Sequence, residues 1–405
     1  MLALGTGSRD SRPVEFKTVE ALVSVGARYV GRAPAFDVEP GWWSEVEAIN
    51  RRLEELLGVR TVVLRLVHAD EAEIGRGGRA VYHVEALGEV RSGVLDETPL
   101  ADWDSIVAAE PLRASWAEVG GPSRLIAWAQ SVLGPGDGVQ VKTWNLSCLV
   151  RFPDAWAKAT SRFGSIDADV IEHVRRYDET LAPAVLASSR EDRWSLLAHA
   201  PGTDCWEPDR PSVESVVSRW VGAQAALAAE VDELDAPRLL PASLADEVAA
   251  LIPRVALSDE EVRSLVDLVD RLPAIVDELE SAGLPITLVN GDFHPGNWRS
   301  DGTRRVIVDW ADTFVGHPAT DIRRLLDFLP ESKRSHAGDV WSAAWRRELP
   351  GCEPLRALQP MSVLGPLTYA LMYQRFLDNI EPDERIYHED DPGICLRAAL
   401  RMCQG

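Results

Sequence analysis

Three residues in the second half of the chain have types and spacing that suit phosphate chemistry. Asp292 opens the run DFHPGN, which ends at Asn297, and Asp309 lies in the run VDW. Asp301-Gly302 between the two runs is a strong hairpin signal, so we expect the chain to turn and bring the three residues together. Asn and Asp oxygens suit magnesium, and a separate carboxylate can receive a hydroxyl proton. The pattern therefore predicts a magnesium and nucleotide site.

The spacing Asp-x-x-x-x-Asn equals that of the kinase catalytic loop, and a later apolar-Asp step would supply a second metal ligand. With the runs NGDFHPGN and VDW, the chain resembles the aminoglycoside phosphotransferase and choline kinase family, whose fold is similar to that of protein kinases. The resemblance covers residues 120–400. It implies that Asp292 is the catalytic base, that Asn297 and Asp309 hold Mg²⁺, and that ATP donates the phosphate. The alternative is a hairpin whose acids only cap turns.

The resemblance also implies a lysine on a strand and an acid on the next helix. Lys158 lies in a strand-like segment and is one of only four lysines. It would bind the α and β phosphates of the nucleotide and be held by Glu172 on the following helix, with Asp169 as the rival acid. A plain surface lysine is the alternative.

The phosphate loop departs from the family pattern. Relatives usually carry glycine there, whereas residues 144–147 read WNLS. Asn145 and Ser147 could hydrogen-bond phosphate oxygens, or the loop could be an ordinary polar turn. The resemblance implies a β-rich lobe followed by a helical lobe. Where they join, the main chain around Leu197 and His199 would offer donors and acceptors to adenine.

The phosphate acceptor is predicted from the acidic cluster Glu389, Asp390 and Asp391. Family members that phosphorylate amino sugars hold ammonium groups with carboxylates from the helical lobe and the C-terminus, so the cluster is the predicted substrate site. A solvated loop is the alternative. Asp321 is expected to anchor a loop or cap a helix, and Asp312 lies close to the metal ligands without an assigned role.

Composition narrows the classes of function. The 405 residues carry 42 basic and 64 acidic side chains, a net charge of −22, which disfavours nucleic acid and suits a cationic small molecule. No apolar run approaches the roughly 20 residues of a membrane helix and no signal peptide is apparent, so a cytoplasmic protein without a membrane partner is expected. The five cysteines form no CxxC pair, which predicts reduced thiols without a disulfide framework or zinc site. The oligomeric state is left open.

The elements that must position these residues predict an α+β protein. We expect a two-lobed, protein-kinase-like fold with a small β-rich lobe and a larger helical lobe, preceded by an extra N-terminal α+β domain of unknown role. The predicted boundaries are a flexible tail at 1–13, the N-terminal domain at 14–118, the β-rich lobe at 119–202 and the helical lobe at 203–405.

Apolar periodicity and capping signals predict the helices. One is expected at 44–57 with a capping box of Ser44 and Glu47, and another at 259–279 with a kink or break at Pro273. Runs of β-branched residues predict an antiparallel pair of strands at 61–67 and 80–86. The other predicted elements are helices at 167–181, 213–234 and 244–251 and strands at 139–143, 148–152, 156–160 and 194–199.

Together these features predict an ATP- and magnesium-dependent phosphotransferase that moves the γ-phosphate to a hydroxyl of a small, cationic, aminoglycoside-like molecule. One rival is a kinase of another small alcohol, sugar or antibiotic. A second is an inactive nucleotide-binding pseudokinase, because the phosphate loop lacks glycine and Asn290 stands where relatives often have His. A third is a metal-dependent phosphohydrolase.

Overall fold

The computed structural model describes residues 16–39, 41–70 and 75–403 of the chain. This part is built from two five-stranded sheets followed by a mostly helical region. The mixture confirms the predicted α+β class. The tail predicted at residues 1–13 lies outside the described residues.

The first sheet is formed near the N-terminus. Its order is β2-β1-β5-β4, and β3 pairs with the start of β1 when the strands are numbered along the chain. The central pair β1 and β5 is parallel, whereas β4 and β5 form the antiparallel pair that the sequence predicts. The strands are β1 (Lys17–Val25), β2 (Arg28–Arg32), β3 (Phe36–Val38), β4 (Thr61–Ala69) and β5 (Arg79–Ala86).

Helix α1 (Glu47–Leu57) buries its apolar face in the same core as this sheet. The predicted start at Ser44 with a capping box is wrong, since α1 begins three residues later without a side-chain cap. The reason is that the second sheet uses these residues. The main-chain oxygen of Ser44 accepts a hydrogen bond from Thr143 at 2.9 Å, and the Glu47 carboxylate pairs with Arg151 at 2.7 Å.

The second sheet has the order β6-β7-β8-β10-β9, and all its pairs are antiparallel. Strand β9 is an addition to the predicted set, and α4 between β8 and β9 ends four residues before its predicted end. Short helix α2 and helix α3 precede the sheet. The elements are α2 (Trp103–Val107), α3 (Gly121–Leu133), β6 (Val139–Thr143), β7 (Ser147–Arg151), β8 (Ala155–Thr160), α4 (Asp167–Tyr177), β9 (Val185–Ser189) and β10 (Trp194–Ala198).

The two sheets share one apolar core around α3. Val62 and Leu64 of β4 are buried in the same cluster as Leu125 of α3 and Val150 of β7. Residues on both sides of the predicted boundary at residue 118 therefore pack together. The division into domains stays a prediction.

The remaining chain is mostly helical and contains five short strands. Strands β13 and β14 form a hairpin that β11 extends, and β12 pairs with β15. The elements are β11 (Thr203–Asp204), α5 (Arg210–Leu227), α6 (Leu244–Leu251), α7 (Asp259–Glu280), β12 (Thr287–Val289), β13 (Trp298–Ser300), β14 (Arg305–Ile307), β15 (Phe314–Gly316), α8 (Ala319–Phe328), α9 (Glu331–Glu348), α10 (Leu358–Asn379) and α11 (Asp391–Cys403).

Helix α7 has the predicted capping box, in which Ser258 and Glu261 bond reciprocally. A break at Pro273 is not found, because the helix continues to Glu280. Buried leucines and valines lie on one face both before and after Pro273, so packing keeps the helix continuous despite the lost backbone hydrogen bond.

None of the helices in the described residues is long and apolar enough to cross a membrane.

The N-terminal part also holds a C-terminal segment through buried charges. Arg65 of β4 is 1% exposed and pairs with Asp383 at 2.8 Å and with Glu381 at 3.5 Å. Arg113 binds the same oxygen of Glu381, Oε2, at 3.0 Å. The main-chain N–H of Leu66 donates to Oε1 of Glu384, in the same segment, at 3.4 Å. A buried ion pair is costly to break, so this cluster fixes residues 381–384 against β4.

We expect Arg65→Met to lower the free energy of unfolding by about 1–3 kcal/mol, because it removes one of the two cations that bind buried Glu381 and leaves Arg113 in place. Urea unfolding measures the change. Arg60→Met is the control, since the Arg60 and Asp137 side chains are 48% and 92% exposed and such a pair contributes about 0–1 kcal/mol. Equal losses in the two variants would contradict a stabilising role for the buried cluster.

Candidate active site

Asp321 on α8 fixes the loop that carries Asp292. Its carboxylate accepts hydrogen bonds from the main-chain N–H groups of Asn290 at 3.0 Å and Gly291 at 3.1 Å. The side chains of Trp220 and Gln224 donate to the same carboxylate. The predicted role of Asp321 as a loop anchor is confirmed.

The hairpin of β13 and β14 brings the second part of the site back to the first, as predicted. The Asp301 carboxylate accepts hydrogen bonds from the N–H groups of Thr303 at 2.9 Å and Arg304 at 2.7 Å, which closes the turn. The N–H of Val308 then donates to the main-chain oxygen of Asn297 at 2.8 Å. Asp309 therefore follows directly on a residue that is bonded to Asn297.

Both oxygens of the Asp292 carboxylate are hydrogen-bonded. Oδ1 accepts two bonds from Arg324, from Nη2 at 2.7 Å and from Nε at 3.0 Å. Oδ2 lies 3.1 Å from Asn297 Nδ2 and 3.2 Å from His294 Nε2. Burial alone would raise the pKa of the Asp292 carboxyl, but the adjacent His294 and Arg324 hold it well below its usual range.

The contacts of His294 define its tautomer when the ring is neutral. Its Nδ1 accepts a hydrogen bond from the N–H of Gly296 at 3.0 Å, so the proton is on Nε2 and is donated to Asp292. The ring contacts Trp206 and Phe328, with centroid distances of 5.2 and 4.4 Å, and these two rings also contact each other at 6.3 Å. This stack places an aromatic surface beside Asp292.

Lys158 of β8 lies between two carboxylates. Its Nζ is 2.6 Å from Asp309 Oδ1 and 3.0 Å from Asp167 Oδ1. Asp167 also accepts the N–H of Trp310 at 3.0 Å. Burial acts to lower the pKa of Lys158, but the two carboxylates raise it above its ordinary value, so the residue stays charged.

The prediction that Glu172 holds Lys158 is wrong, because Asp167 takes that place. Asp167 is the first residue of α4, whereas Glu172 lies five residues later, about 140° further round the helix, and is exposed. The rival candidate Asp169 pairs with Arg190 at 3.3 Å.

Asn297 and Asp309 have oxygens that could hold a magnesium ion. Asn297 uses its amide nitrogen to bond Asp292, and its Oδ1 accepts no hydrogen bond from any described residue. The Asp309 side chain is 46% exposed beside Lys158. The part of the chain that the structure describes holds no group of three or more His, Cys, Asp or Glu residues suited to a metal. The amide oxygen of Asn297 and the carboxylate of Asp309 are the hard oxygen ligands that magnesium prefers.

Asn145 is not open to phosphate, which contradicts its predicted role. It is 3% exposed, its Nδ2 donates to the main-chain oxygen of Glu384 at 3.1 Å, and its Oδ1 lies 3.3 Å from His388 Nε2. Ser147 is 8% exposed, and its hydroxyl accepts a hydrogen bond from Trp144 Nε1 at 3.2 Å. The loop is therefore tied to the C-terminal segment rather than lined with free polar groups.

The main chain at the predicted adenine position is partly used within the protein. Leu197 pairs with both β8 and β9. Its contact with adenine stays a prediction. The N–H of His199 donates to the main-chain oxygen of Asp154 at 2.9 Å. This donor is therefore not free for adenine, contrary to the prediction. The His199 ring accepts a hydrogen bond from Trp156.

The three predicted acceptor-binding acids differ in exposure. Glu389 and Asp390 are exposed. Asp391 is 5% exposed and its carboxylate lies 3.0 Å from Nδ1 of His388, so it is not the open acceptor ligand that the sequence predicts. The reason is that Asp391 begins α11 and packs into the helical core.

Four residues near the site were not given these roles from the sequence. Asp167 had a usable signal, because an acid in the first turn of the helix after Lys158 is a natural partner. Arg324 and Lys142 had none. Lys142 lies over Trp144 at 4.4 Å, and its charge helps to lower the pKa of Asp309. Asp312 has no hydrogen-bond partner among the described residues, and burial beside Asp309 and Asp292 raises its pKa to about 7.

Comparison with protein families gives one match, to the phosphotransferase enzyme family, APH, over residues 138–358, which is more than half of the chain. No curated protein matches the sequence. The match covers Lys158, Asp292 and Asp309 with the residues that hold them. It does not cover the N-terminal part or the C-terminal segment after residue 358.

Solved structures match this chain at low sequence identity. The GDP complex of wild-type aminoglycoside 2'-phosphotransferase-IIIa is 14% identical, with a TM-score of 0.50 over 69% of this chain and 97% of that one. A choline/ethanolamine kinase family protein from Mesorhizobium loti is 15% identical, with a TM-score of 0.45 over 68% and 98%. Choline kinase LicA from Streptococcus pneumoniae is 11% identical, with a TM-score of 0.47 over 68% and 99%. The predicted protein-kinase-like fold is confirmed.

We expect Gly291→Ala to destabilise the protein by at least about 1–2 kcal/mol, because Gly291 has φ +82° and a Cβ there would collide with the main-chain oxygen of Asp312. Thermal or urea unfolding measures the change. In the control Gly222→Ala, within α5, a Cβ meets nothing within 4 Å, and stability should rise by up to about 1 kcal/mol. The same sign in both variants would contradict the expectation.

Proposed function

Because the chain belongs to the phosphotransferase enzyme family, we propose that it transfers the γ-phosphate of ATP, with magnesium, to a hydroxyl of a small molecule. The observation that carries the proposal is the arrangement of Lys158, Asp309 and Asp292. Lys158 is buried between the carboxylates of Asp167 and Asp309. The carboxylate of Asp292 is fixed by Arg324 and has an aromatic surface beside it.

The nucleotide half of the reaction uses Lys158, Asn297 and Asp309. Lys158 would exchange its contact with Asp309 for the nucleotide phosphates, while Asp167 continues to hold it. Oδ1 of Asn297 and the carboxylate of Asp309 would hold magnesium, which neutralises phosphate charge when bound. Lys142 adds a second positive charge near Asp309.

The acceptor half uses Asp292 to orient the hydroxyl. Arg324 and His294 lower the pKa of Asp292, so it is a weak base. Phosphoryl transfer has a loose transition state in most analyses, in which positioning matters more than early removal of the proton. A firmly held carboxylate of low basicity therefore suits this reaction.

The acceptor we propose is a small cationic molecule, such as an amino sugar. Support comes from the net charge of −22, from the exposed carboxylates Glu389 and Asp390, and from Trp206, which is 37% exposed and stacks on His294. An aromatic face and carboxylates suit an amphipathic cation. The alternative is another small alcohol, sugar or antibiotic.

The test is a panel of acceptors that differ in charge: aminoglycosides, choline, ethanolamine and fructosamines, with glucose and glycerol as neutral controls. With magnesium and ATP, we expect a cationic acceptor to gain the mass of one phosphoryl group, detected by mass spectrometry. Asp292→Ala should lower turnover by at least ~10²-fold, the usual contribution of a positioned acid or base.

Each other outcome identifies a rival. Phosphorylation of a neutral acceptor alone would reject the cationic class and keep the kinase. Inorganic phosphate without phosphorylated product would favour a phosphohydrolase. Nucleotide binding without any turnover would favour a pseudokinase.

For the nucleotide half, we expect Asp309→Asn to remove the magnesium dependence of ATP binding, because a charged metal ligand is lost. Calorimetric titrations of ATP with and without magnesium measure it. Asp204→Asn is a matched control, since its carboxylate is also 46% exposed and paired with one cation, Arg299. An unchanged magnesium effect in Asp309→Asn would reject this metal site.

A further inference from the structure

Arg324 binds Asp292, the carboxylate proposed to act as the base, and the side chain of Arg324 is itself firmly held. It lies on α8 and is 2% exposed. Its guanidinium lies 4.7 Å from the ring centroid of Phe328 and 5.2 Å from that of Tyr369. The hydroxyl of Tyr369 donates to the main-chain oxygen of Gly291 at 2.9 Å, so this ring is itself fixed to the loop of Asp292.

The contacts of Arg324 with Asp292 differ from an ordinary ion pair. Nε and Nη2 both donate to Oδ1, at 3.0 and 2.7 Å, so two charge-assisted bonds meet on one oxygen. The terminal torsion of an aspartate is broad when nothing restrains it. Donors fixed on a buried guanidinium therefore decide how the Asp292 carboxylate is rotated.

The other oxygen, Oδ2, has weaker and more replaceable partners. Asn297 has a second acceptor for its Nδ2, the main-chain oxygen of Asp292 at 3.0 Å. His294 donates from 3.2 Å. An incoming hydroxyl can replace one of these single bonds on Oδ2 more easily than it can replace the buried guanidinium, which makes two bonds to Oδ1.

We propose that Arg324 is a positioning residue for phosphoryl transfer, which holds Oδ1 of Asp292 so that Oδ2 meets the acceptor hydroxyl. The proposal rests on the proposed function. In the step, the bond between the acceptor oxygen and the γ-phosphorus forms, the bond from that phosphorus to the β–γ bridging oxygen breaks, the hydroxyl proton passes to Oδ2, and ADP leaves.

The neighbouring residue gives a matched control. Arg323 precedes Arg324 on the same helix and pairs with Asp327 one turn later, where both side chains are partly exposed. Among the described residues it makes no hydrogen bond or ion pair with Asp292. Arg323→Met therefore removes a guanidinium from α8 without disturbing the carboxylate.

The experiment measures kcat and KM for magnesium-ATP in Arg324→Met, Arg324→Lys and Arg323→Met, with the panel of acceptors and with water alone. We expect Arg324→Met to lower kcat by about 10²-fold, the effect of a misplaced reacting group, with KM for ATP within about twofold of wild type. Arg324→Lys should restore part of kcat, because an ammonium keeps the charge but not the two-bond fork. Arg323→Met should match wild type.

A second measurement separates positioning from a general loss of structure. If Arg324 acts through Asp292, then adding Arg324→Met to Asp292→Ala should lower the residual turnover no further. Arg324→Lys supplies the test if Arg324→Met does not fold, and its thermal midpoint is compared with that of Arg323→Met.

The inference is overturned if folded Arg324→Met or Arg324→Lys keeps the wild-type kcat, or if Arg324→Met lowers turnover equally with and without Asp292. These results require an active wild type. A wild-type protein that turns over no nucleotide with any acceptor would instead reject the proposed function, and the inference on Arg324 with it.

Discussion

The site depends on one buried cation, Lys158, which two carboxylates share. A charged group removed from water needs charged partners, so the sheet that carries Lys158 must stay close to both Asp167 and Asp309. Asp167 belongs to α4, whereas Asp309 lies after the hairpin of the helical region. The ion pairs therefore join the sheet to the helical region at the place where the nucleotide would bind. They also keep Lys158 charged and aimed before any phosphate arrives.

The second half of the site depends on helix α8. Asp321 at its start holds the main chain on either side of Asn290, and Arg324 one turn later holds the Asp292 carboxylate. One rigid element thus sets both the path of the loop and the orientation of its side chain. Because residues three apart lie on the same face of a helix, a single buried face of α8 serves both purposes.

The N-terminal part lies outside the residues that match the family, yet it contacts the site region through the C-terminal segment. Arg65 and Arg113 hold Glu381, and the main-chain oxygen of Glu384 in the same segment accepts a hydrogen bond from Asn145. The loop at residues 144–147 is therefore held by the C-terminal segment through a side-chain hydrogen bond. The N-terminal part fixes this segment through the ion pairs of Arg65 and Arg113 with Glu381.

The sequence by itself determined the features that depend on neighbouring residues: the Asp301-Gly302 hairpin, the capping box of α7, the pairing of β4 with β5, and the runs that carry Asp292, Asn297 and Asp309. The tertiary structure alone decided which distant side chains meet. Asp167 rather than Glu172 faces Lys158 because the start of α4 sets the helical phase. Arg324 reaches Asp292 across 32 residues because α8 packs beneath the loop. Turns and caps are local hydrogen-bond patterns, whereas such pairings depend on how whole elements pack.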